Sequence, residues 1–351
     1  MSQSRRLLSR RILPLIALLV VAAVLATSCA APTATTAPTA APTSAPTAAP
    51  TPPAFPVTVK DADGKDFTLT AAPQKIVSLP VWSTEILFSL VDLSRVAAIS
   101  SWINDPNQTP IADTAKQITQ RVETKTPEGI IALHPDLVIL DTFNDFDGSL
   151  TKALLDAGIP TIRLESPTDF PGVSAAIATL AALTGETQKG EALAQEMNDK
   201  LSTVADLVKS VETSKRVTAM YFYVSFNDMT MLSSYNAETP VGAIMTAAGI
   251  VNVCDAPKYS DVSKEKVVKD WKPQAFLVSS LVWKPDYSGT DDDAGASAKA
   301  VVLADTTLKD VPAVQTGTFF AVPDKYMMST SQYMADAVVL LAKAAYPDLF
   351  K

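Results

Sequence analysis

A chain of 351 residues that is 47% hydrophobic is long and apolar enough to bury the cores of two ordinary domains, so wholesale disorder is excluded. The formal net charge is −8. Removing a leader that carries four arginines and no acids leaves 25 basic against 37 acidic residues, a net of −12, which excludes nucleic acid as a partner.

That leader is the first element. Arg5-Arg6 and Arg10-Arg11 precede an apolar run from Ile12 to Ala26, and Ala26-Thr27-Ser28 lead into Cys29. The run is short for a membrane span and carries Pro14, so an export signal is expected. It resembles a bacterial lipoprotein signal, which implies that residues 1–29 form the signal and that Cys29 becomes the lipidated first residue of the mature protein. Ser9-Arg10-Arg11-Ile12-Leu13 also resembles a twin-arginine signal, so both export routes stay open. With Cys29 lipidated, Cys254 has nothing to pair with and reads as a small buried apolar residue.

Residues 30–56 are almost wholly Ala, Pro and Thr. Such a segment cannot form a core and favours extended, semi-rigid conformations with a reach of roughly 80 Å. A lipid at one end and a folded body at the other describe an extracytoplasmic protein tethered to a membrane.

The folded body begins with a hairpin, Val57–Lys60 and Phe67–Leu69, around Asp61-Ala62-Asp63-Gly64. Strands and helices then alternate: strand Ile76–Leu79, helix Thr84–Val91, strand Val96–Ile99, a helix opening at Thr126, strand Leu137–Leu140, helix Ser149–Asp156 and strand Thr161–Leu164. The residues Leu193, Met197, Leu201, Val204, Val208 and Val211 then recur at spacings of four and three, which predicts a long amphipathic helix from Thr184 to Val211. Beyond it the alternation resumes: strand Val217–Val224, helix Pro240–Ala248, a helix opening at Ser263, strand Ala275–Ser279, a helical patch near Val301–Leu303, strand Phe319–Val322 and a terminal helix Ser331–Ala345. The expected fold class is α/β: a lobe over residues 57–183, a bridging helix over 184–212 and a second lobe over 213–351, each lobe with a mainly parallel central sheet. A single-helix hinge predicts small opening motions.

Signals for catalysis are absent. The single histidine, His134, sits in a connecting loop, and no nucleophile elbow, glycine-rich phosphate loop or metalloprotease pattern occurs. No enzymatic activity and no cofactor are expected. One histidine and one remaining cysteine are too few for a protein-built zinc site, and Asp291-Asp292-Asp293 reads as a solvated loop rather than a calcium site. Aromatic residues are more informative. Trp82, Trp102 and Phe143 follow strands of the first half, and Phe226, Tyr235, Trp283 and Tyr326 take comparable loop positions in the second. Each alone is ordinary packing; together, beyond the carboxyl ends of parallel strands, they predict a cleft for a large, partly apolar ligand.

The halves also share a pattern. Thr126-Pro127-Glu128-Gly129-Ile130-Ile131 precedes Pro135-Asp136-Leu137-Val138-Ile139-Leu140, and Ser263-Lys264-Glu265-Lys266-Val267-Val268 precedes Pro273-Gln274-Ala275-Phe276-Leu277-Val278. Glu128 and Glu265 each fall in the first turn of a helix, where a carboxylate is stabilised by about 0.3–1 kcal/mol. That accounts for either acid alone, but not for its recurrence in both halves.

These segments, with Ser83-Thr84-Glu85-Ile86-Leu87, Leu154-Leu155-Asp156-Ala157-Gly158-Ile159-Pro160 and the ending Tyr346-Pro347-Asp348-Leu349-Phe350, resemble the cobalamin and iron-siderophore class of ABC-transporter substrate-binding proteins. The resemblance implies two lobes joined by a rigid helix, a monomer, and partnership with an ABC permease and its ATPase subunits. It also implies that Glu128 and Glu265 dock onto permease arginines. The acidic chain has few basic residues for a ferric catecholate, so a neutral or hydroxamate-type ferric siderophore is the leading ligand, with cobalamin-like corrinoids and haem behind it. No residue is expected to bind metal directly.

Overall fold

The computed structural model describes residues 55–123, 127–224, 231–233, 235–286 and 288–351. The leader, Cys29 and the tether up to Ala54 lie outside these residues, as does Phe226. A hairpin opens the body: β1 (Val57–Lys60) pairs antiparallel with β2 (Asp66–Leu69). Asp61 Oδ1 closes its turn by accepting the amides of Asp63 and Lys65.

The first lobe runs β3 (Ile76–Ser78), α1 (Val81–Leu90), β4 (Val96–Ser100), α2 (Ala112–Ala115), β5 (Arg121–Val122), α3 (Pro127–Ile131), β6 (Leu137–Asp141), α4 (Ser149–Asp156) and β7 (Thr161–Leu164). Its strands are all parallel, in the order β5-β4-β3-β6-β7, with Ile76 opposite Leu137 and Val138 opposite Thr161. Every residue of β3 and β6 is buried, the pattern of a sheet covered on both faces. The helix after β3 begins at Val81 rather than Thr84, because the Pro80 carbonyl already accepts both the amide and the hydroxyl of Thr84.

Two helices carry the chain onward. α5 (Phe170–Thr184) stops at Gly185, whose φ of 78° is left-handed backbone that glycine adopts without strain. α6 (Thr187–Val208) then makes the bridge. The rod expected from Thr184 to Val211, and the bridge bounds 184–212, are corrected at both ends. Gly185 breaks the helix before it, and the chain leaves the helix after Val208. The apolar stripe is as the spacing required: Met197, Val204 and Val208 are buried and Leu193 and Leu201 pack half-buried beside them. Arg95 pins the corner between α5 and α6, reaching Glu186 Oε1 at 2.9 Å and the Thr184 carbonyl at 2.7 Å.

The second lobe runs β8 (Thr218–Val224), β9 (Met231–Ser233), α7 (Pro240–Ala247), β10 (Val251–Asn252), β11 (Asp261–Ser263) and α8 (Lys264–Lys266), which passes into a π turn over Val267–Trp271. It continues with β12 (Ala275–Ser279), β13 (Leu281–Trp283), β14 (Thr290–Asp292), α9 (Ala296–Ala304), α10 (Pro312–Thr316), β15 (Phe319–Val322), α11 (Asp324–Met327) and α12 (Met334–Ala345). The sheet order is β11-β9-β8-β12-β15, with β10 beside the start of β8. Strands β8, β10, β12 and β15 are parallel; β9 is reversed, and β11, antiparallel to β9, returns to the direction of β8. α12 begins at Met334 rather than Ser331, since Ser329 and Ser331 are used in a buried contact described below.

The bridge is packed on both sides. One apolar cluster joins Ile86 and Leu90 of α1, Leu180 of α5, Met197 and Val204 of α6, Val241 of α7 and Val338 of α12. Gly249, at the end of α7, lies so near α6 that an added Cβ would meet Val208 Cγ1 at 2.0 Å. No helix among the described residues is long and apolar enough to cross a membrane.

Candidate functional site

The carboxyl ends of the parallel strands of both lobes open onto one cavity of about 850 Å³. The first lobe contributes Pro80–Trp82 after β3, Trp102 after β4, Asp141, Phe143 and Asn144 at the end of β6, and Ser166 after β7. The second contributes Tyr221 and Phe222 of β8, Ser279 of β12, Leu281–Trp283 of β13, Val301 of α9, and Asp324 and Met328 around α11. This is the crevice that open parallel sheets make where strands end and loops begin.

Of the residues singled out in the sequence, Trp82, Trp102, Phe143, Tyr235 and Trp283 line this cavity. They differ in how they are held. Trp82 is 4% exposed and forms a wall, its indole N–H donating to Asp141 Oδ2 at 2.9 Å. It stands in α1 rather than in a loop, because the helix starts right after Pro80. Trp102, 55% exposed, and Trp283, 41% exposed, flank the mouth, and Phe143 is 86% exposed on the turn after β6. Tyr235 is half-buried and edge-on to both Tyr221, at 4.9 Å between ring centroids, and Tyr259, at 5.5 Å.

Tyr326 is a correction: it does not line the cavity. It sits in the single turn of α11, where Asp324 and the capping residue Met328, four apart, face the cavity; a residue two positions on points away. Tyr326 packs instead toward Tyr333, with Lys325 over its ring. Phe226 falls outside the described residues.

Sequence reasoning missed the polar groups of the cavity. Asp141, 3% exposed, accepts from Trp82 and from Ser166 Oγ (2.7 Å) on Oδ2 and from the Asn144 amide (2.7 Å) on Oδ1. Asp324 accepts Ser279 Oγ at 2.5 Å and the Ser280 amide at 3.1 Å. Burial, with the nearby charge of Asp292 adding to it, raises the Asp324 pKa above the usual carboxylate value. The available signal was an acid directly after a buried apolar strand, after Leu140 and one proline after Val322.

None of the described residues lining the large cavity is Lys, Arg or His. A second, more polar space of about 510 Å³ adjoins it at the mouth, where Lys284 is the basic residue. There the β13–β14 hairpin reaches the first lobe. Asp105 Oδ2 accepts the Thr290 amide at 2.9 Å and hydroxyl at 2.8 Å, and Asn107 Nδ2 donates to the Thr290 carbonyl at 3.0 Å. Burial pushes the Asp105 pKa up, but the bonds from Asn107, Thr290 and Gln108 outweigh it and hold the pKa below the ordinary aspartate value.

The other flagged residues have plain roles. Among the described residues no group of three or more His, Cys, Asp or Glu is arranged to hold a metal ion. His134 is exposed, in left-handed backbone with φ 48°, before the amino end of β6 and so opposite the cleft. Cys254 is buried in the second lobe's core. The Asp291–Asp293 stretch is part strand, part helix cap: Asp293 accepts the amides of Gly295 and Ser297 at the start of α9.

Glu128 and Glu265 are exposed, in the first turns of α3 and α8. Each follows an edge strand parallel to its sheet's centre, β5 or β11, and precedes the return to β6 or β12 beside the central strand. The two positions are topologically equivalent. Glu265 also pairs with Lys269 one turn on, which lowers its pKa.

The family model described as periplasmic binding protein matches residues 76–326. A cobalamin-binding protein of Halobacterium salinarum is 25% identical over 298 residues, 83% of this chain and 74% of that protein. An uncharacterized ABC transporter substrate-binding lipoprotein of Bacillus subtilis, YvrC, is 25% identical over 305 residues, 85% of this chain and 88% of its own length. In fold, the chain is similar to a periplasmic binding protein from Veillonella parvula, with a TM-score of 0.69 at 17% identity, covering 84% of this chain and 99% of that one. Two lobes with mainly parallel sheets around one helix, a cleft at their strand ends and a family match from Ile76 to Tyr326 lead to one conclusion: the chain belongs to the periplasmic binding protein family, as an extracytoplasmic substrate-binding protein of the ABC-transporter class.

Proposed function

We propose that the protein captures a bulky metal complex without net negative charge, a corrinoid first, and hands it to an ABC permease without transforming it. The observation that carries this reading is the composition of the cavity: aromatic walls, buried carboxylates and no basic residue among the described lining. A ligand with carboxylate arms, such as haem, would bring two negative charges toward Asp141 and Asp324 with no cation to meet them. A corrinoid offers a wide, largely apolar ring for Trp82, Trp102 and Trp283 and a rim of neutral carboxamides for the acids. The cobalamin-binding relative in Halobacterium salinarum adds weight to the same class.

A neutral ferric hydroxamate, the leading ligand from sequence, is the second reading. It satisfies the same charge argument but has no flat face for the tryptophan walls, and so ranks behind. The rest of the proposal follows the chain: lipidation at Cys29, the Ala/Pro/Thr tether, a monomeric body, and docking of Glu128 and Glu265 onto permease arginines. Purifying the protein from its own host and recording the absorption and mass spectra of what accompanies it tests the reading. A corrin spectrum with cobalt supports it. An iron-porphyrin spectrum overturns it.

A further inference from the structure

We propose that the polar space at the mouth is a second subsite, which holds the nucleotide tail of a complete corrinoid while the ring occupies the large cavity. The inference rests on the corrinoid reading above and adds that the protein prefers a corrinoid with its tail over the bare ring. A complete corrinoid carries a planar base, a ribose and one phosphodiester beside the ring, so it needs a polar recess next to an apolar one. The two spaces are contiguous: Trp102, Gln108 and Trp283 line both. At about 510 Å³ the recess has the size of a small-molecule pocket.

The chemistry of the recess differs from that of the cavity. Among the described residues, Lys284 is the one basic residue lining either space, and it stands where the one anionic group of the ligand would lie. Its ion pair with Asp291 spans 3.8 Å, beyond hydrogen-bond reach, which leaves the ammonium donors for a phosphodiester. The carboxylate of the recess is turned to its floor: Asp105 Oδ1 accepts the Asn107 amide at 2.9 Å, and Oδ2 accepts the Thr290 amide and hydroxyl. Asn104 is exposed, and Arg121 Nε donates to its Oδ1 at 2.8 Å, which fixes the side chain and leaves its N–H groups for ribose hydroxyls. Trp102 and Trp283, both well exposed, offer indole surface to the base. Trp102 and Asn104 come from the first lobe and Trp283 and Lys284 from the second, so a tail seated here touches both.

The test compares cyanocobalamin with dicyanocobinamide, which keeps the ring and lacks the tail, by equilibrium titration of the whole protein. The wild type should bind cyanocobalamin about tenfold more tightly, the size of one or two hydrogen bonds to charged or polar groups. Titrating both in excess cyanide, which gives them the same axial ligands, should preserve the preference. Lys284→Gln should weaken cyanocobalamin by roughly three- to tenfold, and Lys284→Gln with Asn104→Ala should bring the two ligands within about twofold of each other. The affinity for dicyanocobinamide should not change in either variant. Melting curves of both ligand-free variants separate a binding effect from misfolding. Equal wild-type affinity for the two ligands, a preference that disappears in cyanide, or equal losses for both ligands in Lys284→Gln overturns the inference while leaving the corrinoid reading intact. Binding of neither corrinoid overturns both.

Discussion

Ser331 of the second lobe donates its hydroxyl to Glu85 Oε2 of the first at 2.6 Å, at a point where neither residue has any solvent exposure. Ser329 reaches the same oxygen at 2.9 Å, Thr109 bonds Oε1 at 2.6 Å, and Gln332 Nε2 donates to the Glu85 carbonyl at 3.1 Å. The two lobes are thus joined through a carboxyl group set among hydroxyls. Burial is the dominant influence and pushes the Glu85 pKa up to about 7.

Stability should therefore depend on pH in a defined direction. The folded protein keeps a proton on Glu85 that the unfolded chain, with an ordinary glutamate, releases. The contribution is full below about pH 4.5, is lost as pH rises toward 7 and levels off above it. Its size is about 3 kcal/mol. Melting curves of wild type and Glu85→Gln between pH 4.5 and 8 should diverge by this trend, with the variant lacking the decline. Parallel curves would remove Glu85 as the source.

Trp82 and Trp102 should separate cleanly. Both line the cavity, but Trp82 is packed in the core and bonded to Asp141, whereas Trp102 stands largely in water. Trp82→Ala should cost about 3–5 kcal/mol of apo stability as well as affinity. Trp102→Ala should lower affinity while changing stability by only about 0.5 kcal/mol. Denaturant titration of the apo proteins alongside ligand titration distinguishes the two, and equal stability losses would contradict this account of the walls.

Asp105 and Thr290 close the mouth of the cleft. Asp105→Ala removes both bonds from a charged acceptor, so ligand release by stopped flow should quicken by about tenfold, with a smaller effect on capture. Unaltered release would show that the hairpin does not retain the ligand.

Permease docking is tested by charge. Glu128→Lys with Glu265→Lys should abolish uptake and permease-stimulated ATP hydrolysis in reconstituted vesicles, because like charges would then face each other. Ligand affinity should stay near that of the wild type, since neither acid lines the cavity. A pure helix-dipole role leaves transport normal and shows only as a small loss of stability.

Much of the architecture was legible in the sequence because it rests on periodicity. Strands such as Thr161–Leu164 and Ala275–Ser279, and the helix Ser149–Asp156, fall where the pattern put them. Boundaries set by single residues did not follow from pattern alone: the bridging helix starts at Thr187, past Gly185, rather than at Thr184, and Pro80 starts a helix instead of ending a strand. The β13–β14 hairpin was hidden because its second strand is Thr290-Asp291-Asp292, whose acids read as a loop. Aromatic recurrence pointed to the cavity walls, but Tyr326 shows the limit of that signal, since the direction of a side chain within one helical turn is not visible in spacing. Glu85, Asp141 and Asp324 escaped for another reason. A buried acid is defined by its partners, which lie up to 246 positions away in the chain.

The cleft should accept a metal complex without anionic arms. Titrating the purified protein with cyanocobalamin, ferrichrome and haemin, followed by tryptophan fluorescence, tests it most directly. One saturating site for cyanocobalamin, tighter than for ferrichrome and far tighter than for haemin, is the expected result. Tight binding of haemin with none of cyanocobalamin would contradict it.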